Sequence, residues 1–238
     1  MVAASKIDDS SPYRALRLCR SAPAGSIVDL RNLLAERFPQ SLSSPASRLT
    51  TGLQTLDEAT GGGLPKNAIT ELTSPNVSAG SALVICALLQ AAHRDGYFLT
   101  LVDGRDSFDP SALGGLGNAL QNLLWVRCTK AVEAVRAADL LLRDGNFPLV
   151  ILDLVLNASD ELRKIPQTSW YRLQRLVEAA PTAFLVLTRR SMISSAQLKL
   201  SLDNTWTLAD LEQDRVSSRL TFLVKRAQGG LQQIAGAS

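Results

Sequence analysis

The stretch from Glu71 to Leu83 reads E-L-T-S-P-N-V-S-A-G-S-A-L: an apolar run enters a short loop of small, turn-forming residues, and a second apolar run leaves it. That is the layout of a phosphate-binding loop between a strand and a helix. In the pattern G-x-x-x-x-G-K-[ST], the glycines let backbone N–H groups curl round the phosphates. The lysine neutralises their charge and the hydroxyl holds Mg²⁺. Here the octet is S-P-N-V-S-A-G-S, with Ser74 and Ala79 in the glycine places, Gly80 in the lysine place and Ser81 in the hydroxyl place. Only the last keeps its chemistry, so the loop has the architecture of a nucleotide site without the residues that bind one.

Other reactive side chains are scarce. His93 is the only histidine, which excludes a histidine-rich metal centre. It closes an apolar helix in A-A-H-R-D-G, with no G-x-S-x-G to pair with, and reads as a solvated helix end. Cys19, Cys86 and Cys128 are scattered and never in C-x-x-C, the pattern of reduced structural thiols rather than disulfides or zinc ligands. We therefore expect no metal and no cofactor. A net charge of +3 permits nucleic-acid contact without arguing for it. No apolar stretch has the length to cross a bilayer and the N-terminus has no apolar signal region, so the expectation is a cytoplasmic protein without membrane contact.

These residues need elements to position them. Ser26 to Asp29 resembles a capping box, and Ile27, Leu30, Leu33, Leu34 and Phe38 fall on one face of a helix that Pro39 ends. Its apolar stripe suits self-association or a partner. A Ser/Pro-rich linker, Gln40 to Ser47, follows, dividing the chain into residues 1–48 and a core of residues 49–238. The core alternates strands with helices: strand Ile69 to Leu72, helix Ser81 to Arg94, strands Phe98 to Val102 and Leu124 to Arg127, and helix Ala131 to Arg143. Strand Leu149 to Leu152 then ends in Asp153, and helix Ser169 to Ala179 leads to strand Ala183 to Thr188. Such alternation predicts an α/β fold, a mostly parallel sheet flanked by helices. Asn204 to Leu208 and Arg219 to Val224 read as an antiparallel C-terminal edge, with a turn at Gly229 and Gly230 behind them.

The stretch T-G-L-Q-T-L-D-E-A-T-G-G-G-L-P-K-N-A-I-T-E-L (Thr51 to Leu72) closely resembles the segment leading into the Walker A loop of the RecA recombinase family. L-V-D-G-R-D-S-F-D-P (Leu101 to Pro110) is similar to the family's strand and loop that carry the catalytic glutamate, and L-V-I-L-D (Leu149 to Asp153) to its Walker B strand. The resemblance implies a RecA-like core over roughly Thr51 to Gly230. It also implies what has been lost. Arg105 stands in the place of the catalytic glutamate, so a cation replaces the base that activates water. Asp153 stands as the Walker B remnant, or simply as a strand-end carboxylate satisfied by backbone N–H groups. The segments in the places of the DNA-binding loops are short, and Arg163, Lys164, Arg189 and Arg190 remain as a basic rim for weak, non-specific single-stranded DNA contact.

A short RecA-like chain with such a loop looks most like the ImuA group. Its members are accessories of damage-induced mutagenic synthesis that work with an ImuB-like Y-family polymerase homologue and an error-prone polymerase. The resemblance implies a pseudo-ATPase that acts by binding these partners, with RecA or a second copy as further candidates. The run Leu141 to Leu152 also resembles SulA, the division inhibitor that binds FtsZ. A residual DNA-dependent ATPase is the third alternative.

Overall fold

Alternate residues along each central strand face opposite apolar layers, which is why these strands read as unbroken hydrophobic runs. The computed structural model describes residues 48–76, 79–110, 117–204 and 220–227. The helix expected over Ser26 to Phe38, with Ile27, Leu30, Leu33 and Leu34, lies outside the described residues, as does the Gly229-Gly230 turn.

A short hairpin of β1 (Arg48–Leu49) and β2 (Leu64–Pro65) brackets α1 (Gln54–Thr60). The main sheet then begins with β3 (Ala68–Thr73), followed by α2 (Ser81–Asp95) and β4 (Leu99–Asp103). Next come a 3-10 turn (Gly117–Asn122), β5 (Leu123–Arg127), α3 (Ala131–Asp144) and β6 (Leu149–Asp153). The remaining elements are α4 (Ser159–Arg163), α5 (Gln167–Ala179), β7 (Ala183–Thr188), β8 (Leu198–Leu202) and β9 (Phe222–Ala227). The sheet has seven strands in the order β5-β4-β6-β7-β3-β8-β9, and every neighbouring pair is parallel except β8 with β9.

One layer packs α1 and α2 against the sheet through Leu56, Val84, Leu88, Leu101, Ile151 and Leu185. The other packs α3, α4 and α5 through Ala134, Leu142, Leu162 and Trp170 onto Val150, Leu152 and Val186. Each of the larger aliphatic side chains taken out of water contributes about 1.5–3 kcal/mol. Glycines in the left-handed region close α1, α2 and α3 at Gly61, Gly96 and Gly145. Cys86 and Cys128 are free thiols, and burial pushes Cys86 up to about 11.

The C-terminal edge differs in detail from the sequence expectation. The strand Leu198–Leu202 beside β3 is one that the sequence pattern does not predict; of the expected strand Asn204 to Leu208, Asn204 follows β8 outside any strand, and residues 205–208 lie outside the described residues. The antiparallel edge is Phe222–Ala227, a few residues beyond the expected start at Arg219. Among the described residues no helix is long and apolar enough to cross a membrane.

Candidate functional site

The loop between β3 and α2 lies at the C-terminal edge of the parallel strands, where an open α/β sheet presents its ligand-binding crevice. Its polar groups are directed inward. Ser74 is fully buried; its N–H donates to the Thr188 carbonyl at 2.7 Å and its Oγ to the Asn76 carbonyl at 3.0 Å. The Ala79 N–H donates to the same Asn76 carbonyl at 3.1 Å. The Ala79 carbonyl in turn accepts from buried Asn204 Nδ2 at 3.1 Å, while Asn204 Oδ1 takes the Thr221 N–H at 2.9 Å. The Ala79 N–H and the Ser74 hydroxyl are thus bonded within the loop, and the Ser74 N–H to the end of β7. Gly80, in the lysine place, has φ 105° and ψ 15°, a conformation that side chains rarely adopt, and α2 begins only at Ser81. Ser81 is buried at the helix start.

Asp103 and Asp153 face each other across the β4–β6 register. Asp103 accepts the N–H groups of Arg105 at 3.2 Å and of Ser107 and Phe108 at 2.8 Å each, which winds the Gly104–Phe108 segment round its carboxylate. Gly104 must be glycine: a Cβ there would lie 2.5 Å from Asn157 Oδ1 and 2.7 Å from the Asp153 carbonyl. Arg105 is exposed, its guanidinium donating to the Thr129 carbonyl at 3.3 Å. Asp153 accepts one backbone N–H, from Val155 at 3.0 Å. Burial, reinforced by the nearby charge of Asp103, pushes Asp153 up to about 6 despite that bond.

The basic residues divide. Arg163, Arg189 and Arg190 share the rim of a cavity of about 360 Å³ floored by Leu162, Ile165 and Met192. Lys164 closes α4 and is exposed, but does not line it. A larger concavity, about 650 Å³, lies by Gly52, Asp57, Arg94 and Asp95 at the far end of α2 from the loop.

One polar cluster is not visible in the spacing of the sequence. Glu71, fully buried on β3, holds Lys199 Nζ of β8 at 2.9 Å. It also accepts from Ser191 Oγ at 2.8 Å, the Met192 N–H at 2.6 Å and the Ile193 N–H at 3.0 Å. The turn after β7 that carries Arg189 and Arg190 is therefore fastened to the sheet. A glutamate inside an apolar strand was the visible signal, but its partners lie far along the chain.

A mostly parallel sheet flanked by helices, with a strand–loop–helix unit at its C-terminal edge, defines an open α/β core. Residues 36–164 match the model of the RecA N-terminal domain family, and the chain belongs to that family. It is 33% identical over 107 residues to Protein RecA of Nostoc sp. (strain PCC 7120 / SAG 25.82 / UTEX 2576), covering 45% of this chain and 30% of that protein. Against Protein RecA of Arthrospira platensis the identity is 29% over 157 residues, 64% of this chain and 40% of the relative. The DNA repair protein recA homolog 1, chloroplastic, of Arabidopsis thaliana is 33% identical over 106 residues, 44% of this chain and 24% of its own length. The chain thus spans less than half the length of these curated relatives.

Proposed function

We propose that this RecA-family chain is a non-catalytic accessory factor in damage-tolerant, mutagenic DNA synthesis of the SOS type, acting by protein–protein binding. The observation that supports it most is the loop at Ser74 to Ser81. Gly80 takes the lysine place in a left-handed conformation, and the Ala79 N–H is spent on Asn76. A triphosphate placed there would meet no lysine, the Ala79 N–H is already bonded, and Arg105 gives no base to activate water. A RecA core stripped of that chemistry retains surfaces, and its role is to bring other proteins together. The partners in this reading are an ImuB-like Y-family polymerase homologue and an error-prone polymerase, in the cytoplasm.

The apolar positions Ile27, Leu30, Leu33, Leu34 and Phe38 are the sequence candidates for self-association or partner capture. Leu30→Asp with Leu34→Asp should abolish association while leaving the core folded, as read by analytical ultracentrifugation and circular dichroism. The test of function is affinity capture from DNA-damaged cells followed by mass spectrometry. Recovery of the two polymerase subunits, reproduced with purified proteins, is the expected result. Recovery of FtsZ in their place would instead make the chain a SulA-like division inhibitor, and DNA-stimulated phosphate release would make it a residual ATPase.

A further inference from the structure

We infer that the cavity between α4, the start of α5 and the turn after β7 is a docking pocket for an acidic peptide segment that carries an apolar anchor. This deepens, and rests on, the reading of the chain as a protein-binding factor. The cavity, about 360 Å³, is of the size that encloses one or two large side chains. Its floor is aliphatic: Leu162 and Ile165 are buried and Met192 is half-buried. Its rim is cationic, formed by the exposed guanidinium groups of Arg163, Arg189 and Arg190. Arg163 meets Asp160 at 3.4 Å with both side chains exposed, a pair that water screens. Among the described residues no carboxylate pairs with Arg189 or Arg190.

A ligand that satisfies both parts must bring carboxylates to the rim, where the planar guanidinium forks bind them in bidentate fashion, and an apolar side chain to the floor. An acidic peptide with a leucine or phenylalanine does both. Single-stranded nucleic acid satisfies only the rim, because its bases stack on aromatic platforms and the lining contains none. Tyr171 lies outside the lining, its hydroxyl accepting from Ser194 Oγ at 3.4 Å.

The pocket is also held in place before any ligand arrives. Met192 is fixed on both sides, its N–H by Glu71 at 2.6 Å and its carbonyl by Gln167 Nε2 at 3.3 Å. Gln167 Oε1 accepts from Ser194 Oγ at 3.2 Å, tying the start of α5 to the same turn. Little ordering is then required on binding.

Fluorescence anisotropy on the full chain tests the assignment with two probes. One is a labelled peptide of about twelve residues with aspartates and glutamates flanking a Leu-Phe pair. The other is a thymidine oligonucleotide of about twenty nucleotides. We expect saturable peptide binding that weakens about tenfold or more in Arg189→Ala/Arg190→Ala, in Met192→Asp, and when Leu-Phe is replaced by Gly-Gly. The exposed arginine pair and the anchorless peptide keep the test valid if Met192→Asp does not fold. No peptide binding, binding indifferent to the anchor, or tighter oligonucleotide binding through the same arginines would overturn the assignment. Peptide binding that persists alongside a saturable ATP isotherm would refute the accessory-factor reading and leave the pocket intact.

Discussion

The carboxylate of Glu71 and the ammonium of Lys199 lie 2.9 Å apart on neighbouring parallel strands, in direct register, with Glu71 fully buried. Three further donors from Ser191, Met192 and Ile193 complete the carboxylate's shell. Removing one member of such a pair leaves an uncompensated buried charge, so Glu71→Ala should cost about 3–5 kcal/mol in urea unfolding. Glu71→Leu combined with Lys199→Met should restore much of that loss, while the Met192 and Ile193 amides exchange faster in both variants. A single-mutant loss below about 1 kcal/mol would put the pair in the class of surface bridges and contradict this account.

This pair also marks where the sequence stops being legible. Strands such as Leu149–Asp153 and Ala183–Thr188 announce themselves because burial on both faces demands unbroken apolar runs. Leu198–Leu202 does not, since Lys199 and Ser201 interrupt it; Lys199 is accommodated there because Glu71 sits opposite. Helix α1 spans Gln54–Thr60, too short to show a helical period. At the site, glycine at position 80 of the Ser74–Ser81 octet and arginine at position 105 after β4 are legible from residue types alone. The inward hydrogen bonds of Ser74 and Ala79, and the joining of Arg163 to Arg189 and Arg190 round one floor, depend on tertiary placement that spacing does not encode.

Asp153 should make stability depend on pH. Its folded-state value, about 6, lies above the ordinary carboxylate value of 3.8, so the folded chain holds this proton more tightly than the unfolded one. The contribution is neutral below about pH 4; stability falls as pH rises toward 6 and stays reduced above it. Asp153→Asn, which keeps an acceptor for the Val155 N–H, should therefore stabilise the protein by roughly 1–3 kcal/mol at pH 7.5 and little at pH 4. Denaturant titrations at the two pH values check this, and an equal effect at both would contradict it.

Gly104→Ala should be strongly destabilising. The added Cβ meets the Asp153 backbone and Leu154 as well as Asn157, and the two strand ends cannot part without breaking the bond from the Gly104 N–H to the Asp153 carbonyl at 2.9 Å. A loss of at least about 2 kcal/mol is expected from overpacking of this kind. Thermal unfolding within a degree or two of the wild type would show that the contact between the ends of β4 and β6 is loose.

Gly80→Lys should restore charge without restoring function. At φ 105° the new side chain strains the backbone by about 1–2 kcal/mol, and the Ala79 N–H and Ser74 hydroxyl remain bonded to the Asn76 carbonyl. Combined with Arg105→Glu it should still release no phosphate from ATP in a coupled assay, whereas measurable turnover by the double variant would mean the loop opens freely.

The most direct test of the central claim is isothermal titration calorimetry of the full chain with ATP at millimolar Mg²⁺, with and without single-stranded DNA. A loop whose N–H groups are turned inward at Ser74 and Ala79, with glycine at position 80, predicts no saturable heat in either titration. A saturable isotherm approaching one nucleotide per chain, weakened by Ser81→Ala, would contradict it and return the protein to the working nucleotide-binding members of its family.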